Sequence, residues 1–123
     1  MNNRIILIED DPDHVELIKL ILCSDGFQVQ DSDPELLYAD IDKDEPCLIL
    51  MDNRLHAKSG AQICKELKAN SDLRHIPVVL VSAALDLATI AKDSKADGFI
   101  EKPFNIDALS ETVQNIIHKS KPT

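Results

Sequence analysis

Three stretches of this chain are apolar at every position: "IILI" at 5–8, "CLILM" at 47–51 and "VVLV" at 78–81. A strand with one wet face alternates apolar and polar residues. A strand that is apolar throughout needs cover on both faces, as in a parallel sheet held between two layers of helix. "FQV" at 27–29 and "FI" at 99–100 supply two further short strands.

Helix signals fall between these runs. Asp11-Pro12 pairs an N-cap with proline at the first helical position, and Gly26 marks a stop. Asp33-Pro34 repeats the start signal and predicts a second helix from that point, followed by "DIDKDEP" at 40–46 as a polar loop. Ser59 caps a third helix in which Ile63, Cys64 and Leu67 share a face. Asp86 opens a short fourth helix through Leu87, Ile90 and Ala91. A last helix starts near Asn105, with Ile106, Leu109, Val113, Ile116 and Ile117 as its apolar face. The order βαβαβαβαβα implies one parallel sheet with right-handed crossovers and helices on both sides. A chain of 123 residues suits one domain over 1–123, with a core that needs no disulfides. "HKSKPT" at 118–123 closes the sequence and predicts a frayed tail over 119–123, or a linker if the chain is cut from something longer.

Charge narrows the function. Twenty-two acidic residues against 13 basic ones give a net charge of −9, which argues against nucleic acid or an anionic membrane as a direct partner. The apolar run after Arg4 is too short for a signal peptide, and no run reaches the length of a membrane span. A cytoplasmic location is expected. Cys23, Cys47 and Cys64 each lie in an apolar pattern and read as small buried thiols in a reducing compartment. No CxxC or Cys/His spacing suggests zinc.

In open α/β sheets the working crevice lies beyond the carboxyl ends of the strands. The first strand is followed by Glu9, Asp10 and Asp11. The third ends on Asp52, the fourth on Ser82-Ala83, and the fifth on Glu101-Lys102-Pro103. Carboxylates gathered at one rim repel. They stay ionised only if a cation or a positive side chain joins them; otherwise at least one pKa rises. Few ligands, all oxygen, with room for water, suit magnesium better than a calcium cage. Zinc or copper would want His or Cys, and neither directly follows strands one or three. Taken singly, Asp11 is a helix cap, Asp52 a turn aspartate and Lys102 a solvated lysine. The constellation carries more than its members.

"LIEDD" after the first strand, "LILMD" with Asp52, "VVLVSA" with Ser82 and "GFIEKPF" with Lys102 together resemble the receiver domain of two-component response regulators. The resemblance covers essentially the whole chain. It implies a flavodoxin-like sheet in the order 2-1-3-4-5. Asp52 would be the phosphoacceptor, taking a phosphoryl group from a histidine kinase or a phosphotransfer protein. Asp10 would bind Mg²⁺ directly, Glu9 through water, and the backbone carbonyl of Arg54 would be a further ligand. Ser82 and Lys102 would hold the phosphoryl group, and Pro103 would follow a cis peptide. Phe99 would be the aromatic switch residue, with a plain core role as its rival. The domain would catalyse only its own phosphorylation and dephosphorylation. It would signal to a downstream protein as a monomer or weak dimer.

The chain departs from the family pattern in places. His56 stands where a proline is usual, Arg54 is bulky and cationic beside the acceptor, and Ala84 offers no side chain to orient water. The last two features point to a long-lived phosphorylated state, with Arg54 shielding the acyl phosphate or pairing with Glu9. Two rival readings are a degenerate receiver that acts as a phosphorylation-independent interaction module, and a hydrolase, flavin or nucleotide protein on a similar fold. Retention of Glu9, Asp10, Asp52, Ser82 and Lys102 counts against the first. Against the second, Gly26, Gly60 and Gly98 are the only glycines and no phosphate-cradling motif occurs.

Overall fold

The computed structural model describes residues 2–55 and 58–120. The elements are β1 (Arg4–Ile8), α1 (Pro12–Ser24), β2 (Gln28–Asp31), α2 (Leu37–Lys43), β3 (Leu48–Asp52), α3 (Gly60–Ala69), β4 (Val78–Ser82), α4 (Leu87–Ser94), β5 (Gly98–Glu101) and α5 (Ile106–Ser120). All the strands are parallel, in the order β2-β1-β3-β4-β5. This is the doubly wound, flavodoxin-like sheet that the resemblance implies.

Strand side chains alternate between faces, and that period of two divides the core. Ile6, Ile8, Ile49, Met51, Val78 and Leu80 meet α2, α3 and α4 through Leu37, Ile41, Ile63, Leu67 and Leu87. Ile5, Leu7, Leu48, Leu50, Val79 and Val81 meet α1 and α5 through Ile18, Leu22, Leu109 and Val113. Each such side chain contributes roughly 1.5–3 kcal/mol by leaving water. Only a strand apolar at every position can serve both layers.

Register then sets the rim. Ile8 lies beside Met51, Asp52 beside Val81, and Ser82 beside Glu101. The ladder runs one step further. The Asn53 amide donates to the Val81 carbonyl at 3.0 Å, and the Lys102 amide donates to the Ser82 carbonyl at 2.9 Å. Four strands therefore end level, and Glu9, Asp52, Ser82 and Lys102 come to the same edge.

Local expectations hold for most helix starts. Asp11 caps α1 by accepting from the Asp13 amide at 2.9 Å, and Ser59 caps α3 by accepting from Gln62 at 3.1 Å. Asn105 accepts from the Ala108 amide at 2.7 Å at the start of α5. Gly26 takes a φ of 95° after α1, which suits glycine.

The second helix is a correction. Asp33 accepts from the Leu36 amide with both its side chain and its carbonyl, closing a turn over 34–36. The helix begins only at Leu37 and runs on to Lys43, through the first part of the expected loop, because Ile41 is buried against the sheet. Ile106 is a second correction: at the first position of α5 it borders an open cleft with Leu17 and Phe104 and is 62% exposed. Cys23 is exposed and Cys47 half-buried, so only Cys64 is the buried thiol expected. Residues 119 and 120 belong to α5, and 121–123 lie outside the described residues.

Candidate phosphoacceptor site

The same alternation that sorts the core sorts the rim. Glu9 follows Ile5 and Leu7, Asp52 follows Leu48 and Leu50, and Lys102 follows Ile100, so these three side chains share the side of α1 and α5. They meet there. Lys102 Nζ donates to Glu9 Oε1 at 2.6 Å and to Asp52 Oδ2 at 3.3 Å. The Lys102–Pro103 peptide is cis. Ser82 follows Val78 and Leu80 and falls on the other side, where its Oγ accepts from the Ala84 amide at 3.2 Å. That hydroxyl makes no hydrogen bond to the Asp52 or Lys102 side chain.

Each carboxylate is fixed at a second point. Asp52 Oδ1 accepts from the Arg54 amide at 3.0 Å. Glu9 Oε2 accepts from the Asp10 amide at 3.0 Å. The Glu9 side chain is only 2% exposed and that of Lys102 only 13%. Such burial penalises charge, so the single ammonium decides which carboxylate keeps its own. Burial raises the Asp52 pKa, and a hydrogen bond shared with Glu9 raises it further against the pull of the Arg54 amide and Lys102. Burial also pushes Glu9 up, but its bonds to Asp52 and Lys102 outweigh that and hold it below the usual range. Lys102 lies nearer Glu9, so Asp52 is the carboxylate for which ionisation costs more. The repulsion expected from the sequence is thus met in both ways at once: a positive side chain joins the pair, and one pKa rises.

The site suits a small hard cation. It offers oxygen donors in electronegative excess, and Asp52 carries an unrelieved cost of ionisation. Among the described residues no group of three or more His, Cys, Asp or Glu side chains is placed to hold a metal ion by itself. A cation here would keep much of its water, which is the habit of magnesium.

The remaining expected residues lie around this centre. Asp10 is exposed at the rim, and Arg54 is exposed beside Asp52. Arg54 does not pair with Glu9, whose ion-pair partner is Lys102. Phe99 is 37% exposed on β5, so it is not a plain core aromatic. His56 lies outside the described residues.

Two residues of the site escaped sequence reasoning. His14 Nδ1 lies 3.0 Å from Lys102 Nζ. Helical side chains lean towards the N-terminus, so a histidine in the first turn of α1 reaches back to the rim although it does not directly follow β1. Its spacing of three from Asp11 was the available signal. Asn53 Oδ1 accepts from the Ala61 amide at 2.9 Å, and its carbonyl accepts from the Gly60 amide at 2.9 Å. These bonds draw the start of α3 onto the acceptor strand, where a Cβ on Gly60 would collide with the Asp52 carbonyl oxygen.

Comparison with known proteins identifies the family of the chain. Residues 5–114 match the response regulator receiver domain family. The phosphate regulon transcriptional regulatory protein PhoB of Escherichia coli is 31% identical over 99% of this chain and 55% of its own length. The chain thus spans about half the length of that relative. The polar-differentiation response regulator DivK of Brucella ovis is 28% identical over 95% of this chain and 98% of its own. A signal receiver domain of a histidine kinase from Syntrophus aciditrophicus superposes with a TM-score of 0.88 at 28% identity, over 98% of this chain and 94% of that one. The chain belongs to the response regulator receiver domains of two-component signalling.

Proposed function

We propose that Asp52 takes a phosphoryl group from a sensor histidine kinase or a phosphotransfer protein, and that the acyl phosphate switches a protein-binding surface. The observation that carries this reading is the Lys102 ammonium bridging Glu9 and Asp52 at a strand-end rim, with the Arg54 amide on the other Asp52 oxygen. An Asp52 oxygen would attack phosphorus, and the P–N bond of the donor would break with its electron pair left on nitrogen. No separate general base is required, since the attacking carboxylate needs only to be ionised. The Arg54 amide orients Asp52, and Lys102 supplies charge to the phosphoryl oxygens.

Receiver domains are, as a family, magnesium-dependent signalling domains that work with histidine kinases and effector domains. Here Asp10, Asp52 and the Arg54 carbonyl would hold Mg²⁺, with Glu9 acting through water. The ion supplies neutralisation between two anions that must meet. Ser82 and Lys102 would then hold the new phosphoryl group. Charge-assisted hydrogen bonds contribute roughly 1.5–3 kcal/mol each. Two of them supply most of the roughly 5.5 kcal/mol that inverts a 1:99 population. Phe99, half out of the protein beside α4, is the residue whose rotation would report the change. The net charge of −9 directs the output to a protein partner rather than to nucleic acid.

Intact-mass measurement with phosphoramidate, with and without magnesium, tests this reading. The mass of one phosphoryl group should appear on the wild type only with magnesium, and not on Asp52→Asn. Labelling of Asp52→Asn to the wild-type extent would overturn it.

A further inference from the structure

We infer that His14 is a positioning residue that aims Lys102 at Asp52, a role that rests on the reading of Asp52 as phosphoacceptor. A lysine ammonium has three N–H donors and no acceptor. Lys102 has three acceptors around it: Glu9 Oε1 at 2.6 Å, His14 Nδ1 at 3.0 Å and Asp52 Oδ2 at 3.3 Å. The two shorter bonds fix the ammonium, and the third donor is thereby directed at the acceptor carboxylate.

The contact fits one form of the imidazole. An ammonium only donates, so the Nδ1 that meets it is the accepting nitrogen, with the ring proton on Nε2. His14 Nδ1 lies 3.4 Å from Glu9 Oε1 and 3.7 Å from Asp11 Oδ2. An Nδ1 that accepts from Lys102 has no proton for either oxygen, and the lysine is its partner. The His14 side chain is 40% exposed, so packing does not call for an imidazole at this position. Without it, the ammonium pivots about Glu9 and its third donor loses direction. Misplacement by about 1 Å at a reacting centre costs up to about 10²-fold in rate.

The test is the rate of phosphorylation of the whole chain by phosphoramidate with magnesium, in the wild type, His14→Leu and His14→Asn. Leucine removes the acceptor, and asparagine restores one as a carbonyl oxygen at the position of Nδ1. His14→Leu should slow the reaction roughly tenfold and His14→Asn should recover most of the loss. In a Lys102→Met background, His14→Leu should cause no further loss. A His14→Leu rate equal to wild type would overturn the role while leaving Asp52 as acceptor. The role fails equally if His14→Asn is as slow as His14→Leu, or if the double variant loses a further tenfold. A wild type that takes up no phosphoryl group would instead sink the acceptor reading, and the positioning role with it.

Discussion

The Lys102 ammonium sits 2.6 Å from Glu9 Oε1, closer than its 3.3 Å from Asp52 Oδ2. Without a metal, therefore, the Lys102 charge serves Glu9 before Asp52. Asp52 carries the strain of an ionised carboxylate in a crowded, poorly hydrated place.

Replacing Asp52 by Asn should stabilise the metal-free protein. A raised folded pKa means that the contribution of Asp52 is complete below the unfolded carboxylate range and is lost as pH rises through the folded value. Asn escapes that loss. Thermal melts in EDTA at neutral pH should show a gain of about 1 kcal/mol, or roughly 4 °C. The gain should vanish below about pH 4. Lys102→Met should act in the opposite sense, by about 2–3 kcal/mol, because Glu9 is left buried without its closest partner.

Magnesium should raise the melting temperature. At about ten times its Kd, mass action contributes about 1.4 kcal/mol. Asp10→Asn should remove most of that shift. A magnesium shift of full size in Asp10→Asn would remove that residue from the ligand set.

The cysteines should separate by chemistry. Burial pushes the Cys64 thiol up to about 11. The unfolded thiol ionises near 8.5, so stability should fall as pH climbs from about 8.5 towards the folded value. Iodoacetamide on the native protein should modify exposed Cys23 and spare Cys64 until urea is added. Peptide mapping reads both outcomes.

Two backbone positions should respond to exchange in opposite ways. Gly60→Ala pushes a methyl group into the Asp52 carbonyl and should cost about 2 kcal/mol in urea unfolding, despite the better helix propensity of alanine. Lys95 ends α4 with a φ of 63°, a conformation that suits glycine. Lys95→Gly should gain about 0.5–1 kcal/mol.

The sheet and its acidic rim were legible because they rest on short-range patterns. Unbroken apolar runs required two covering layers, and strand ends named Glu9, Asp52, Ser82 and Lys102 in order. What could not be read depends on contacts distant in sequence. Asp33-Pro34 looked like a helix start because the turn it closes uses the same cap chemistry. Ile106 fitted an apolar spacing, but the sheet ends before it. Lys68 gave no sign that its ammonium would bind Asp97 at 2.7 Å and the Ile76 carbonyl at 2.9 Å, far from the rim. His14 belonged to a helix by pattern and to the site by geometry.

Ser82 and Lys102 project to opposite sides of the sheet, although adjacent strands carry them. A group gripped by both would sit on the rim where the strands end, held from either side of the sheet. Tension on it would be felt by α4 above and by α1 and α5 below, so one covalent event could speak to two different audiences.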